Sequence, residues 1–144
     1  MSDLSDQELI ELLRKNGFKA TPQRLAICKY ILSSKKHPTA EKIYSDIKKE
    51  HKTLSQATVY KTLDLLENLG LVTELSFDNG FSRFDPNQKI HVNVICSICK
   101  TISDYSSDKI SDFLENIKSD INSKIIGQRF DIYTICEKCL KDKK

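Results

Sequence analysis

Glycine and proline are scarce, four and three residues in 144, and neither a low-complexity segment nor a long internal repeat is present. A flexible or compositionally biased polymer is therefore excluded. Nor does any apolar run approach the about 18 residues that a membrane helix needs. With no secretory leader visible either, the chain is expected in the cytoplasm with its thiols reduced. Charge of one sign is also lacking. Residues 1–70 carry 12 Lys/Arg against 9 Asp/Glu and residues 71–144 carry 11 of each, so the whole formal excess of +3 lies in the first half. This is a weak pointer to an anionic partner there, because counts do not place charges in space. A chain of 144 residues can form one ordinary domain or two small ones. Two fit better, with the patterning changing near residue 84 and the expected domains at 1–84 and 85–144.

What the chain does have is a paired motif, Cys96-x-x-Cys99 and Cys136-x-x-Cys139. Each pair puts two soft ligands on one turn, and a folded domain can join the pairs into a tetrahedral thiolate cage suited to structural zinc. Two disulfides or an adventitious set of cysteines are the alternatives. The fifth cysteine, Cys28, sits among Leu25, Ala26 and Ile27 and reads as a small buried hydrophobe.

The first half reads as a string of short helices. Leu4, Leu9, Ile10, Leu12 and Leu13 recur at helical spacing and stop before Asn16-Gly17. Thr21-Pro22 supplies a cap and a first-turn proline for a second helix carried by Leu25, Ile27, Ile31 and Leu32. Thr39 to Lys42 opens a third with Ile43, Tyr44 and Ile47, and Ser55 caps a fourth whose Val59, Leu63, Leu66 and Leu69 form an apolar stripe ending at Gly70. The period then changes. Leu71 to Phe77 and Phe81 to Phe84 flank Asp78-Asn79-Gly80 as a hairpin.

Three packed helices, an N-terminal addition and a hairpin make a winged helix-turn-helix. The fourth helix is then the recognition helix, with Gln56, Ala57, Thr58, Tyr60 and Lys61 near its start and on its polar face. Small Ala57 and Thr58 permit close approach, while Tyr60 and Lys61 can reach phosphate. Arg24 is a further candidate phosphate contact. The plainer alternative is a solvated helix in a protein-binding winged helix.

The second half reads as a small α/β domain: a strand from His91 to Cys96, a strand-like Thr101-Ile102-Ser103 followed by Asp104, a helix marked by Ile110, Phe113, Leu114 and Ile117, and a strand from Phe130 to Ile135. About 60 residues form a thin core, so zinc and a partner chain would both help. Asp85, His91, Asn93 and Asp104 suggest a second metal site, because carboxylate, imidazole and amide oxygen suit Fe(II) or Mn(II). His37 lies far from them in sequence, in the Lys35-Lys36-His37-Pro38 loop. It is either a solvated loop residue or a ligand that would couple metal occupancy to DNA affinity.

Ala20 to Arg24, His37-Pro38-Thr39-Ala40-Glu41, Ser55 to Leu63, Leu69-Gly70-Leu71-Val72, His91 to Cys99 and Ile132 to Cys139 together resemble the ferric uptake regulator family over nearly the whole chain. The resemblance implies a homodimeric metalloregulator with a winged-helix DNA-binding domain, a C-terminal dimerisation domain, a four-cysteine zinc and a regulatory divalent metal at the hinge. It implies the peroxide-sensing branch most closely, with the regulatory site on His37, Asp85, His91, Asn93 and Asp104. Asp85 bears on that choice, since iron-sensing relatives tend to carry glutamate there. In that branch Fe(II) and hydrogen peroxide generate an oxidant that modifies a ligating histidine, and DNA is released; Mn(II) in the same site should repress without sensing.

Three departures from the family pattern stand out. Asn93 occupies a position that many members fill with histidine, which leaves His37 and His91 as the oxidisable pair. Gln128 stands where many relatives place a histidine of an additional metal site, so no third site is expected. Lys61 replaces the usual arginine or asparagine. The expected function is a metal-dependent, peroxide-responsive repressor of operator DNA, not an enzyme. Its rivals are an iron- or manganese-responsive regulator without peroxide sensing, a Cys-x-x-Cys redox enzyme and a protein-interaction winged helix.

Overall fold

Hydroxyl side chains start the four helices of the first half. Ser5, Thr21, Thr39 and Ser55 are N-caps whose side-chain oxygens accept hydrogen bonds from the backbone N–H three residues on. The helices are α1 (Asp6–Lys15), α2 (Pro22–Leu32), α3 (Ala40–Ile47) and α4 (Gln56–Asn68). At α1 the cap is reciprocal, because Glu8 returns its carboxylate to the Ser5 N–H at 2.7 Å. Two of the stops are also the same device. Gly17 at φ 79° and Gly70 at φ 68° take the left-handed conformation. The following residues then reach back, Phe18 N–H to the Leu13 carbonyl and Leu71 N–H to that of Leu66, both at 2.9 Å.

The computed structural model describes residues 4–77 and 80–142. They fall into two units, Met1–Gln88 and Lys89–Lys144. In the first, α2, α3 and α4 pack against one another, α1 lies on α2, and α3 meets the hairpin. The hairpin is β1 (Thr73–Ser76) antiparallel to β2 (Ser82–Asp85), with Leu75 opposite Arg83 and Thr73 opposite Asp85. This is the winged helix-turn-helix arrangement. Its core joins Leu9 and Leu13 of α1 to Ile27, Ile31, Ile43, Val59, Leu63, Leu66, Val72 and Phe84. Cys28 is fully buried among them, and burial pushes its thiol up to about 11. Residues 78 and 79 of the expected turn lie outside the described residues.

The second unit contains a sheet in the order β4-β3-β5, where β3 is Val92–Cys96, β4 is Ile102–Tyr105 and β5 is Asp131–Thr134. The β3/β4 pair is antiparallel and the β3/β5 pair parallel. A parallel neighbour requires a crossover, and α5 (Asp108–Asp120) supplies it; α6 (Glu137–Lys141) follows β5. Few apolar side chains are fully covered here: Val92, Ile95, Ile102 and Leu114, with Cys96 and Cys139.

Several sequence expectations shift. The first unit runs on past residue 84 to Gln88, because Asp85 is still paired to Thr73 and accepts from the Asn87 N–H at 2.8 Å. Leu69 is exposed rather than in the apolar stripe of α4, and Phe113, though on α5 as expected, is exposed too. Leu69 is the C-cap of α4, beyond the last full turn, and Leu65 and Thr62 complete the buried face instead. Asp104 lies within β4 rather than after it, opposite Asn93. The helix α6, which begins inside the second cysteine pair, had no periodic signal because it spans five residues.

Leu63 is completely buried in α4. Leu63→Ala should cost about 2–5 kcal/mol, read by urea unfolding of the intact chain; a cost below about 1 kcal/mol would mean that the four-helix core collapses around the gap.

Candidate metal centres

The parallel register of β3 and β5 creates the cysteine cluster. Cys96 ends β3 opposite Thr134, and the Ser97 N–H donates to the Thr134 carbonyl at 2.8 Å. Both Cys-x-x-Cys motifs therefore leave the same end of the sheet. The first turns back through Lys100, which takes the left-handed conformation at φ 61° so that its N–H reaches the Cys96 carbonyl at 3.0 Å. In the second, Cys136 is the N-cap of α6 and Cys139 lies on its buried face. The four sulfurs lie within 4.8 Å of one another, and Cys99 Sγ is 3.8 Å from Cys136 Sγ. A tetrahedron with zinc–sulfur bonds of 2.3 Å has edges of about 3.8 Å. A disulfide would need about 2.05 Å, and all five cysteines are free thiols.

The electrostatics agree with a cation cage. Backbone N–H groups, first that of Cys136 and then that of Cys99, pull the Cys96 thiol down to about 6. The Thr101 hydroxyl and N–H lower Cys99, whereas the neighbouring Cys136 sulfur and desolvation push Cys139 up to about 12. Four sulfurs this close ionise together only around a positive ion.

The oxygen and nitrogen ligand candidates form two sets. In the first unit, His37 and Asp85 are buried side by side, with Nε2 3.5 Å from Oδ2. His37 has φ 47°, a conformation uncommon for a residue with a Cβ. The wing holds it there: Arg83 Nη1 donates to the His37 carbonyl at 3.3 Å, and the Phe84 N–H donates to that of Pro38 at 3.0 Å. His37 is thus no solvated loop residue. Strain kept at a buried histidine and carboxylate is the kind that accompanies a functional site.

In the second unit, His91 stands just before β3 and Asn93 within it. His91 Nδ1 lies 2.7 Å from the Lys89 carbonyl, which can only accept, so Nδ1 carries the proton and Nε2 presents a lone pair. That Nε2 faces Asn93 Oδ1 at 3.2 Å and Asp104 Oδ1 at 3.7 Å. Nε2 thus faces two oxygens that can only accept, a repulsion that a cation or a second proton on the imidazole would relieve. Asn93 Nδ2 donates to Asp131 Oδ1 at 2.9 Å. Asp131 is a residue that sequence reading missed; its only signal was a place opposite Asn93 in a parallel pair, which needs the register.

The expected nucleic-acid residues lie at the start of α4. Gln56, Ala57, Tyr60 and Lys61 are exposed and Thr58 is half-buried. Tyr60 is tied to α3, its hydroxyl donating to Glu41 Oε1 at 2.8 Å, which raises the phenol pKa. Arg24 does not project freely from α2: Nη1 donates to the Lys19 carbonyl at 3.0 Å and the guanidinium lies 5.2 Å from the Phe18 ring centre. It organises the turn before α2.

Because a structural metal contributes folding free energy directly, Cys96→Ser should lose the cage metal and the cooperative thermal transition of the second unit. Metal content by native mass spectrometry and calorimetry would read both; an unchanged transition with full metal content would overturn the cage.

Among known proteins, the ferric uptake regulator family profile matches residues 15–133. The peroxide-responsive repressor PerR of Staphylococcus epidermidis is 34% identical over 136 residues, 94% of this chain and 91% of its own. The peroxide stress regulator of Campylobacter jejuni is 35% identical over 92% of this chain and 99% of that one, with a TM-score of 0.74. The Helicobacter pylori ferric uptake regulator has a TM-score of 0.79 over 95% of both chains at 24% identity, a likeness of fold. With a matching profile over most of its length and both ligand sets in place, this chain belongs to the ferric uptake regulator family of metal-responsive transcriptional regulators.

Proposed function

We propose that the protein is a homodimeric repressor that binds operator DNA through α4 when a divalent metal is bound, and that hydrogen peroxide releases it by oxidising a ligating histidine. The observation that carries this reading is the pair of ligand sets: His37 with Asp85 in the winged-helix unit, and His91 with Asn93 and Asp104 in the sheet unit. Both sets would hold one ion. Two imidazoles, two carboxylates and an amide oxygen suit Fe(II) or Mn(II), while the four thiolates suit zinc. The relatives named for peroxide response support the sensing branch, as does Asp85 in place of glutamate.

His37 is rigidly presented by β2, so its engagement fixes the winged-helix unit to the sheet unit and couples metal occupancy to DNA affinity. Lys61 and Gln56 are exposed at the start of α4 and would be the residues that meet a duplex. Apolar side chains exposed on the second unit, among them Phe113, Ile132, Tyr133 and Ile135, supply a surface for a second copy. His37 and His91 would hold a ferrous ion, which would supply the redox chemistry for reducing peroxide beside them. His37 and His91 are the side chains there that can accept an oxygen atom; Asn93 cannot. Oxidation of either imidazole would remove one of the five proposed ligands and so weaken the hold on the ion that couples metal to DNA binding.

The test is duplex-binding anisotropy on an operator enriched from random DNA, with zinc-containing protein loaded with Fe(II) or Mn(II), before and after low peroxide. Binding should be lost in the Fe(II) sample alone, with one added oxygen on His37 or His91 by mass spectrometry. Retained binding with unmodified histidines would make this a metal-responsive regulator without peroxide sensing. His37→Ala should keep the cage zinc and the dimer yet abolish metal-stimulated DNA binding; full stimulation would remove His37 from the site.

A further inference from the structure

Asn93 differs from the other ligand candidates in one respect: its carboxamide can present either an oxygen or an NH2 group, and only the oxygen can ligate a cation. Its neighbour on one side favours the wrong choice. His91 Nε2 presents a lone pair, fixed by the Nδ1 contact to the Lys89 carbonyl, and an NH2 turned towards it would make a good hydrogen bond. The neighbour on the other side decides otherwise. Asp131 is the β5 residue in register with Asn93, and its Oδ1 lies 2.9 Å from Asn93 Nδ2. A carboxylate only accepts, so the NH2 must face Asp131 and Oδ1 must face His91. Asp131 is itself held by two contacts from Arg129, Nε to Oδ1 at 3.0 Å and Nη2 to Oδ2 at 2.8 Å.

We propose that Asp131, clamped by Arg129, is a positioning residue of the regulatory metal site: it fixes the Asn93 amide so that Oδ1 joins His91 Nε2 and Asp104 in facing the cation. This rests on the regulatory-site reading above. Asp131 touches no metal; it acts through Asn93, as outer partners of metal ligands do. In a chain with histidine at position 93 the same carboxylate would accept from a ring N–H. With asparagine it chooses between two orientations of a side chain that would otherwise hydrogen-bond its fellow ligand.

The experiment is Mn(II) titration by calorimetry on zinc-containing protein, with Asp131→Asn, Asn93→Ala and the double variant. An asparagine at 131 can donate to the Asn93 oxygen, which permits the amide to turn and cap His91 Nε2. Asp131→Asn should weaken Mn(II) binding about tenfold or more while leaving zinc content and thermal midpoint unchanged. In the Asn93→Ala background it should add nothing, because no amide remains to orient. Equal Mn(II) affinity in wild type and Asp131→Asn, or an equal loss with and without Asn93, would overturn the proposal. Arg129→Gln provides a second variant if Asp131→Asn loses zinc: it keeps the carboxylate but loosens it, and its smaller loss should likewise vanish without Asn93. His91→Ala separates the two ideas. Mn(II) binding that survives it undiminished would refute the regulatory-site reading, whereas binding that needs His91 but ignores Asp131 would refute the positioning role alone.

Discussion

The register of β3 against β5 is the constraint on which both ligand arrangements of the second unit depend. With Cys96 opposite Thr134, the two cysteine pairs leave the sheet together, and with Asn93 opposite both Asp104 and Asp131, the polar ligands meet. Successive strand residues point to opposite faces, so a slip of one residue would separate the sulfurs and turn Asn93 away from its carboxylates at once. The thin apolar core, in which α5 buries only Leu114, is a weak means of enforcing that register. The cage is a stronger one, because a cation held by residues from both strand ends is satisfied in a single alignment. Structural metal and regulatory ligands are thus linked through the sheet without sharing an atom.

The first unit reaches the same end by different means. Its core is well filled, and the hairpin is not a passive wing: β2 delivers Arg83 and Phe84 to the carbonyls of His37 and Pro38 and then Asp85 to the His37 ring. The loop between α2 and α3 cannot adopt an arbitrary path, and His37 is kept in a conformation that costs on the order of 1–3 kcal/mol. The cost is tolerable because two backbone acceptors are satisfied in the same arrangement. The same loop then leads directly into the Thr39 cap of α3, whose Glu41 holds Tyr60 of α4. A displacement of His37 is therefore connected through one short helix to the face expected to meet DNA.

Much of this was legible in the sequence, and what was not has a common cause. Caps such as Thr21, Thr39 and Ser55 act on backbone groups three residues away, so local spacing reveals them. The paired cysteines declare a cage by composition alone. Asp131, Glu41 and the Arg24 contact to the Lys19 carbonyl depend on registers and packing that no periodicity encodes. Leu69 misled for the converse reason: a helical stripe says which residues share a face, and only packing says where that face ends. The first unit continues beyond residue 84 to Gln88, with Asp85 paired to Thr73 in the hairpin, a register that local spacing does not encode.

Replacing a histidine ligand by asparagine leaves the charge of the proposed regulatory site untouched. Asp85 and Asp104 supply two negative charges, and neutral imidazole and carboxamide supply none, so a divalent ion is balanced either way. What changes is donor strength and softness: an amide oxygen is harder than an imidazole nitrogen and favours the metals earlier in the first-row series over Zn(II). In the proposed regulatory site that difference would narrow the advantage of Zn(II), the metal suited to the thiolate cage. It also removes one imidazole from the set that peroxide chemistry could consume. The proposed site therefore relies more heavily on His37, which has a left-handed backbone conformation, and on His91, whose Nδ1 meets the Lys89 carbonyl. Loss of His91 would leave the sheet unit with Asn93 and Asp104 as candidate ligands, both held in the sheet and both oxygen donors.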